Sequence, residues 1–173
     1  MNTFTTTQSG IEGVTPPHVE VKNITITGTL RGTSMGIWVH NVITGPGAQV
    51  KNYNTTFENV NIVNNNIIPW TEQEACGLAI FGTAYLKNCT VKGTKYTEEF
   101  DESSQQLYDV SVRNSATATF EGGEYGLLNG KEQSKITLNG GVKVDKYWSM
   151  SVSASNLGYT KIEDAVINHA VID

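Results

Sequence analysis

The sequence predicts an all-β solenoid, a chain wound into about six coils with three short strands in each. Three observations predict it. A six-residue phrase recurs as Val21-Lys22-Asn23-Ile24-Thr25-Ile26, as Phe57-Glu58-Asn59-Val60-Asn61-Ile62 and as Leu86-Lys87-Asn88-Cys89-Thr90-Val91. Looser copies begin at Phe120, Leu138 and Ile162, so the third position runs Asn, Asn, Asn, Gly, Gly, Asp. These residue types tolerate left-handed backbone angles, where a branched side chain is costly. Between copies lies a second recurring element of period-two alternation, the strand signature. Finally, charged residues make up only 17% of the chain, below the roughly 25% of an average domain, and no helical stripe appears.

Residues 1–17 read as a lead-in ending in the turn-forming Thr15-Pro16-Pro17, and residues 18–173 as the solenoid domain. The alternating strand reads Gly36–Asn41, Gly77–Gly82, Tyr108–Arg113, Gly126–Asn129 and Trp148–Ser153. Each coil then consists of this strand, a connection, a strand ending at position one of the phrase, a left-handed bend, and a strand over positions four to six. Anchor residues lie between 18 and 36 residues apart, so connections vary while strands persist. A propeller would need antiparallel hairpins with two-residue turns in fixed places; a single left-handed residue between strands bends the chain without reversing it.

Stacking such coils at about 4.8 Å places like positions above one another. Position one (Val21, Phe57, Leu86, Phe120, Leu138, Ile162) becomes an apolar core column, and the bend asparagines can form an amide ladder. Position two faces out, and its first four members, Lys22, Glu58, Lys87 and Glu121, alternate in sign. Cys89 falls on an inward position, which favours a buried thiol over a disulfide with Cys76. Two of the three Asn-X-Thr sequons have their asparagine in the bend column, which explains them without glycosylation.

Net charge is −5 with 12 basic residues, which argues against a nucleic-acid binder that neutralises phosphates. There is no run of 18 apolar residues, hence no expected membrane span. Met1 to Gly10 lacks the basic start and apolar stretch of a secretory signal. Ala170-Val171-Ile172 shows no polar cap, so the sequence suggests a fragment of a longer solenoid, or an open end that pairs with further coils or another subunit.

With its strand, Asn, strand phrase over roughly residues 18–172, the chain resembles the right-handed parallel β-helix of the pectate-lyase-like superfamily. The match is one of architecture. Members of that superfamily include polysaccharide lyases, glycoside hydrolases, esterases, bacterial adhesins and phage tailspikes, so the fold does not choose a function. The resemblance places an active or binding face on the outside of the alternating-strand column. Its outward residues are expected to be Trp38 and His40, Ala79 and Phe81, Asp109, Ser111 and Arg113, then Ser149 and Ser151.

Trp38, His40, Phe81 and Arg113 on this face, with Trp70 from a flanking loop, are candidate ligand-binding residues. Aromatic rings stack on sugars, and a guanidinium holds a carboxylate. Asp109, Arg113 and His40 are the catalytic candidates, although the paired aspartates of the hydrolases are missing. Glu98, Glu99, Asp101 and Glu102 offer oxygen ligands for Ca²⁺ without the Asp-x-Asp-x-Asp-Gly spacing; a solvated charged loop is the favoured explanation, and no other cofactor is implied. The competing explanation of the whole face is scattered surface residues.

The expectation is therefore a non-catalytic carbohydrate-associated or adhesive module at a bacterial cell or virion surface, outside the cell. A polysaccharide lyase or glycoside hydrolase acting on an acidic polysaccharide, and a structural or tail-fibre assembly segment, are the alternatives.

Overall fold

The reason for the repeated phrase is visible in the strand register of a computed structural model, which describes residues 18–32, 35–39, 54–69, 75–96, 107–149, 159–162 and 164–172. Position one of each copy pairs with position one of the next. Val21 lies beside Phe57, Phe57 beside Leu86, Leu86 beside Phe120, Phe120 beside Leu138 and Leu138 beside Ile162. The strands that carry them form a first column: β1 (His18–Lys22), β4 (Asn54–Glu58), the start of β7 (Thr83–Lys92), the start of β10 (Thr117–Gly130), β11 (Lys135–Asn139) and β13 (Tyr159–Ile162).

Positions four to six form a second column. It runs through β2 (Thr25–Gly32), β5 (Asn61–Pro69), the end of β7, the middle of β10, β12 (Val142–Ser149) and β14 (Ala165–Ile172). Here Ile26, Ile62, Val91, Tyr125, Val144 and Ile167 share one register line. The alternating strands form the third column, from β3 (Met35–Val39), β6 (Ala75–Ile80) and β9 (Leu107–Val112) into the ends of β10, β12 and β14. A short β8 (Lys95–Tyr96) pairs with β5.

Every strand pairing among the described residues is parallel, and none of these residues is helical. The order β1-β4-β7-β10-β9-β6-β3 is an open path rather than a closed ring. No helix among the described residues is long and apolar enough to cross a membrane. The architecture is thus all-β, parallel and solenoid-like.

All three columns point apolar side chains into one interior. Phe57, Leu86, Phe120 and Leu138 enter from the first, Ile62, Val91 and Val144 from the second, and Leu78, Val110 and Leu128 from the third. Each such fully buried side chain contributes about 1.5–3 kcal/mol. Cys89 is buried here as expected, and its thiol donates to the carbonyls of Phe57 and Lys87 at 3.5 and 3.4 Å. Cys76 is also buried, and no disulfide joins it to Cys89. Burial pushes the Cys89 thiol above its ordinary pKa.

The bend column behaves as the residue types demand. Asn23, Asn59, Asn88, Gly122 and Gly140 all have positive φ, between 50° and 66°. The backbone ladder continues across the bend, with Asn23 N donating to Glu58 O and Asn59 N to Lys87 O, each at 3.0 Å. One rung of the amide ladder is made by Asn59 Nδ2 donating to Asn23 Oδ1 at 3.1 Å. A Cβ on Gly122 would lie 2.6 Å from Asn88 Oδ1, so that amide would have to shift for any larger residue there. The outer charge column gives Lys22–Glu58 and Glu58–Lys87 pairs at 3.6 and 3.7 Å. Glu121 accepts from the Tyr85 hydroxyl instead. Such surface pairs contribute at most about 1 kcal/mol each.

Two features differ from the expected plan. Where three strands per coil were expected, β10 runs unbroken through all three columns, because its glycines bend without losing the ladder. The connections from the third column back to the first also stack on one another. Arg113–Ala116 and Lys131–Ser134 are matched turns with positive φ at Asn114, Ser115, Glu132 and Gln133. Ser115 N donates to Glu132 O at 2.8 Å, and Ser115 Oγ to Gln133 Oε1 at 3.3 Å.

The bends can be tested one at a time. A Cβ on Gly123 (φ 94°) would sit 2.1 Å from Cys89 O, whereas one on Gly141 (φ 75°) meets nothing within 4 Å. Gly141→Ala is expected to cost about 1 kcal/mol, the price of a left-handed alanine alone. Gly123→Ala, which also displaces backbone, is expected to cost well over about 2 kcal/mol in denaturant unfolding. Equal losses for the two would contradict the proximity of the neighbouring rung.

Candidate functional site

The third column presents an outward line of side chains, and its register fixes which residues share it. Trp38 pairs with Ala79, Ala79 with Ser111, Ser111 with Asn129 and Asn129 with Trp148. One step further along the chain come Phe81, Arg113 and Lys131. Their backbone N–H groups donate in turn to Val39 O, Ile80 O and Val112 O, at 2.7, 3.1 and 3.0 Å. The Arg113 guanidinium lies over the Phe81 ring, 4.3 Å from its centroid. Lys131 Nζ is 5.8 Å from the Tyr108 ring centroid, and Tyr108 packs against Trp148 with centroids 6.0 Å apart. Cations over aromatic faces are attracted by the ring quadrupole.

This face is a second packed layer rather than the open aromatic surface expected. Ala79 is 0% exposed and Phe81 only 6%, in a cluster with Cys76 and Tyr108 against which Leu127 and Trp148 pack. Ser111 and Asn129 are also fully buried. The cause lies in the strand itself: Leu78 and Ile80 face the main core while Ala79 and Phe81 face the second cluster, so β6 is buried on both sides. Arg113, Leu127 and Trp148 are the half-buried members at the rim.

A further correction concerns the last member of the line. Trp148, not Ser149, shares the register of Asn129, Ser111 and Ala79, while Ser149 pairs with Gly130, which pairs with Val112. A slip of one residue moves every side chain to the opposite face, and the shortened strand Gly126–Asn129 gave the sequence no second anchor to set it.

Asp109, expected to face outward as a catalytic carboxylate, is instead 8% exposed and committed to the backbone. Its Oδ1 accepts from Thr94 N at 2.9 Å and its Oδ2 from Leu127 N at 2.8 Å. The location explains the need. Thr94 leads from β7 into β8 beside the second column, and on the next rung Leu127 lies in β10 where that strand passes from the second column to the third. Asp109 thus supplies an acceptor to an N–H group on each of these two rungs. Gly126 belongs to the same corner, since a Cβ there would lie 2.0 Å from Asp109 Oδ2. Burial raises the Asp109 pKa above the ordinary aspartate value, and the two N–H groups offset part of that shift.

Of the other candidates, Trp38 pairs through its backbone with Ala79, and Arg113 stands at the rim of the outer cluster. His40, Trp70, Glu98, Glu99, Asp101 and Glu102 lie outside the described residues, as does Ser151. Among the described residues no group of three or more His, Cys, Asp or Glu side chains is placed to hold a metal ion.

Sequence reasoning missed a shallow depression of about 230 Å³ on the outside of the second column. There Lys92 and Lys143 both reach Glu124, at 2.6 and 3.6 Å, and Asn168 Nδ2 donates to Asp145 Oδ1 at 3.2 Å. Lys92 holds the Glu124 carboxyl below its usual pKa. The signal was available in the register of Thr90, Glu124 and Lys143, but only once the rungs are aligned. Its charges satisfy one another, which leaves little to recognise a ligand.

The corner role of Asp109 makes two predictions. Asp109→Ala leaves two N–H groups without their acceptors and is expected to cost about 2–5 kcal/mol in denaturant unfolding, with Asp109→Asn losing less because one acceptor remains. A neutral effect of Asp109→Ala would remove the role. The pH dependence follows from the raised folded pKa. Between the ordinary aspartate value and the raised one, the folded state holds a proton that the unfolded chain has released, so stability falls as pH rises through that window. Measured against Asp109→Asn, the wild type is expected to lose ground there; a gain would contradict the raised pKa.

Comparison with protein-family models, with curated proteins and with solved structures finds no match to this chain. Its function is therefore argued from its own residues and their register.

Proposed function

We propose that the chain is a right-handed parallel β-helix of about six coils that serves as a non-catalytic, carbohydrate-associated or adhesive module at a bacterial or phage surface. The observation that carries this reading is the rim of the third column. The half-buried Trp148 packs at a tilt against the buried Tyr108 ring, and the half-buried Arg113 lies over the buried Phe81 ring, both on the same column of parallel strands. A half-buried tryptophan and a half-buried arginine on one rim suit a sugar ring bearing a carboxylate, so acidic polysaccharide is the favoured ligand. The packed layer beneath keeps these groups in fixed positions, which reduces the entropy lost on binding. The enzyme alternative is weakened because its acidic candidate, Asp109, has a backbone donor on each carboxylate oxygen.

The test is calorimetric titration of the full chain with acidic and neutral oligosaccharides, with and without Ca²⁺. Binding of an acidic oligosaccharide is expected, weakened about tenfold by Trp148→Ala or Arg113→Ala. No binding to any sugar in a broad panel would overturn the carbohydrate reading. Release of new reducing ends, or of an unsaturated product absorbing in the ultraviolet, would overturn the non-catalytic one.

A further inference from the structure

Two places in the chain carry the dipeptide Asn-Gly, and the fold treats them oppositely. Asn129-Gly130 closes β10, while Asn139-Gly140 closes β11 and opens the bend that follows. The dipeptide matters chemically because glycine has no side chain to shield its backbone nitrogen from the carboxamide just before it. At Asn129 the approach is closed. Asn129 is fully buried, and its Nδ2 donates to Trp148 O at 3.1 Å. Gly130 pairs with Val112 on one rung and with Ser149 on the next. A Cβ on Gly130 would lie 2.7 Å from Ile136 Cδ1, so the backbone there is tightly packed.

At Asn139 the same atoms stand in the open. Asn139 is half-buried, Gly140 and Gly141 are exposed, and the Asn139 carboxamide has no hydrogen-bond partner among the described residues. Both glycines have positive φ, 66° and 75°. A Cβ on Gly140 would meet Glu121 Cγ at 2.9 Å, but one on Gly141 would meet nothing within 4 Å. An asparagine at a strand end holds its carboxamide away from the next nitrogen, so the peptide between them must rotate before they meet. Two successive glycines let that rotation cost little, since each accepts backbone angles of either hand. The other bends lack this combination. Gly122-Gly123 follows a glutamate, and a Cβ on Gly123 would sit 2.1 Å from Cys89 O. Asn23, Asn59 and Asn88 precede Ile24, Val60 and Cys89, whose side chains crowd the nitrogen.

We infer that Asn139 is a site of spontaneous covalent modification, deamidating through a cyclic imide formed with Gly140. The Gly140 nitrogen forms a bond to Asn139 Cγ and gives up its proton. The Cγ–Nδ2 bond breaks, and the amide leaves with that proton as ammonia. Water then opens the imide. Cleavage of the new Cγ–N bond yields aspartate; cleavage of the original backbone C–N bond yields isoaspartate, in which the chain runs on through Cγ. Either product places a carboxylate at residue 139, beside its rung partner Glu121. Like charges directly opposite one another are destabilising. Isoaspartate also lengthens the chain at a corner where Gly141 N donates to Asp164 O at 3.0 Å, so the rungs on either side lose their register.

The experiment incubates the folded full chain at neutral and mildly alkaline pH. Peptides are then mapped by mass spectrometry, with a methyl-acceptor assay for isoaspartate. Asn139 is expected to convert at least about tenfold faster than Asn129, because a bend opens locally whereas a buried strand opens only with the core. In denaturant the two dipeptides become equivalent, and their rates are expected to converge. Asn139→Gln is expected to abolish the signal at this position, since the larger ring closes far more slowly, and to keep the far-UV circular dichroism of the wild type. Asn139 that stays intact in the folded chain while reacting in denaturant would overturn the inference. So would equal conversion of Asn129 and Asn139 in the folded chain, or isoaspartate formation unchanged in Asn139→Gln.

Discussion

In a parallel array each backbone N–H and C=O finds its partner on the neighbouring rung, so a chain that turns a corner must do so without breaking the ladder. A single left-handed residue achieves this, and the repeated phrase of this sequence is that residue with its flanking strands. Asn23, Asn59 and Asn88 accept the conformational cost, and side-chain bonding between Asn59 and Asn23 offsets part of it. At Gly122, where the column changes to glycine, the neighbour's amide occupies the space a Cβ would need. The core follows from this constraint, because in-register corners bring Phe57, Leu86, Phe120 and Leu138 onto one line.

Corners that do not match from rung to rung need another solution. Between the rungs of Thr94 and Leu127 the Asp109 carboxylate accepts from a backbone N–H group of each. The same residue is thereby withdrawn from chemistry. The third column illustrates a related compromise: β6 is buried on both sides, so the outer face packs into a second layer and leaves recognition to a half-buried rim.

Position one, the bend residues and the buried Cys89 were legible because each repeats at a fixed place in a phrase, and a repeated phrase aligns itself. The outer face of the third column was less legible. Its strands share alternation but no invariant residue, so Trp148 and Ser149 exchanged faces until the pairing with Asn129 was known. Asp109 was misplaced for a different reason. Alternation put it in line with Ser111 and Arg113, and only the folded chain brings the N–H groups of Thr94 and Leu127 together on its carboxylate. The stacked turns of Asn114–Ser115 and Glu132–Gln133 left no sequence signal, because four unlike residues adopt the same left-handed angles under the pull of the neighbouring rung.

The account stands on register: residues far apart in sequence lie a fixed number of rungs apart. Lys22 and Asn139 share one outward line, separated by the rungs of Glu58, Lys87 and Glu121. Spin labels on Lys22→Cys and Asn139→Cys, diluted with unlabelled chain, measure that separation, and the buried native thiols at Cys76 and Cys89 stay unlabelled. Four strand spacings predict a narrow distance distribution centred near about 19 Å. A broad distribution, or one centred beyond about twice that distance, would contradict the stacked register on which the fold and the rim both depend.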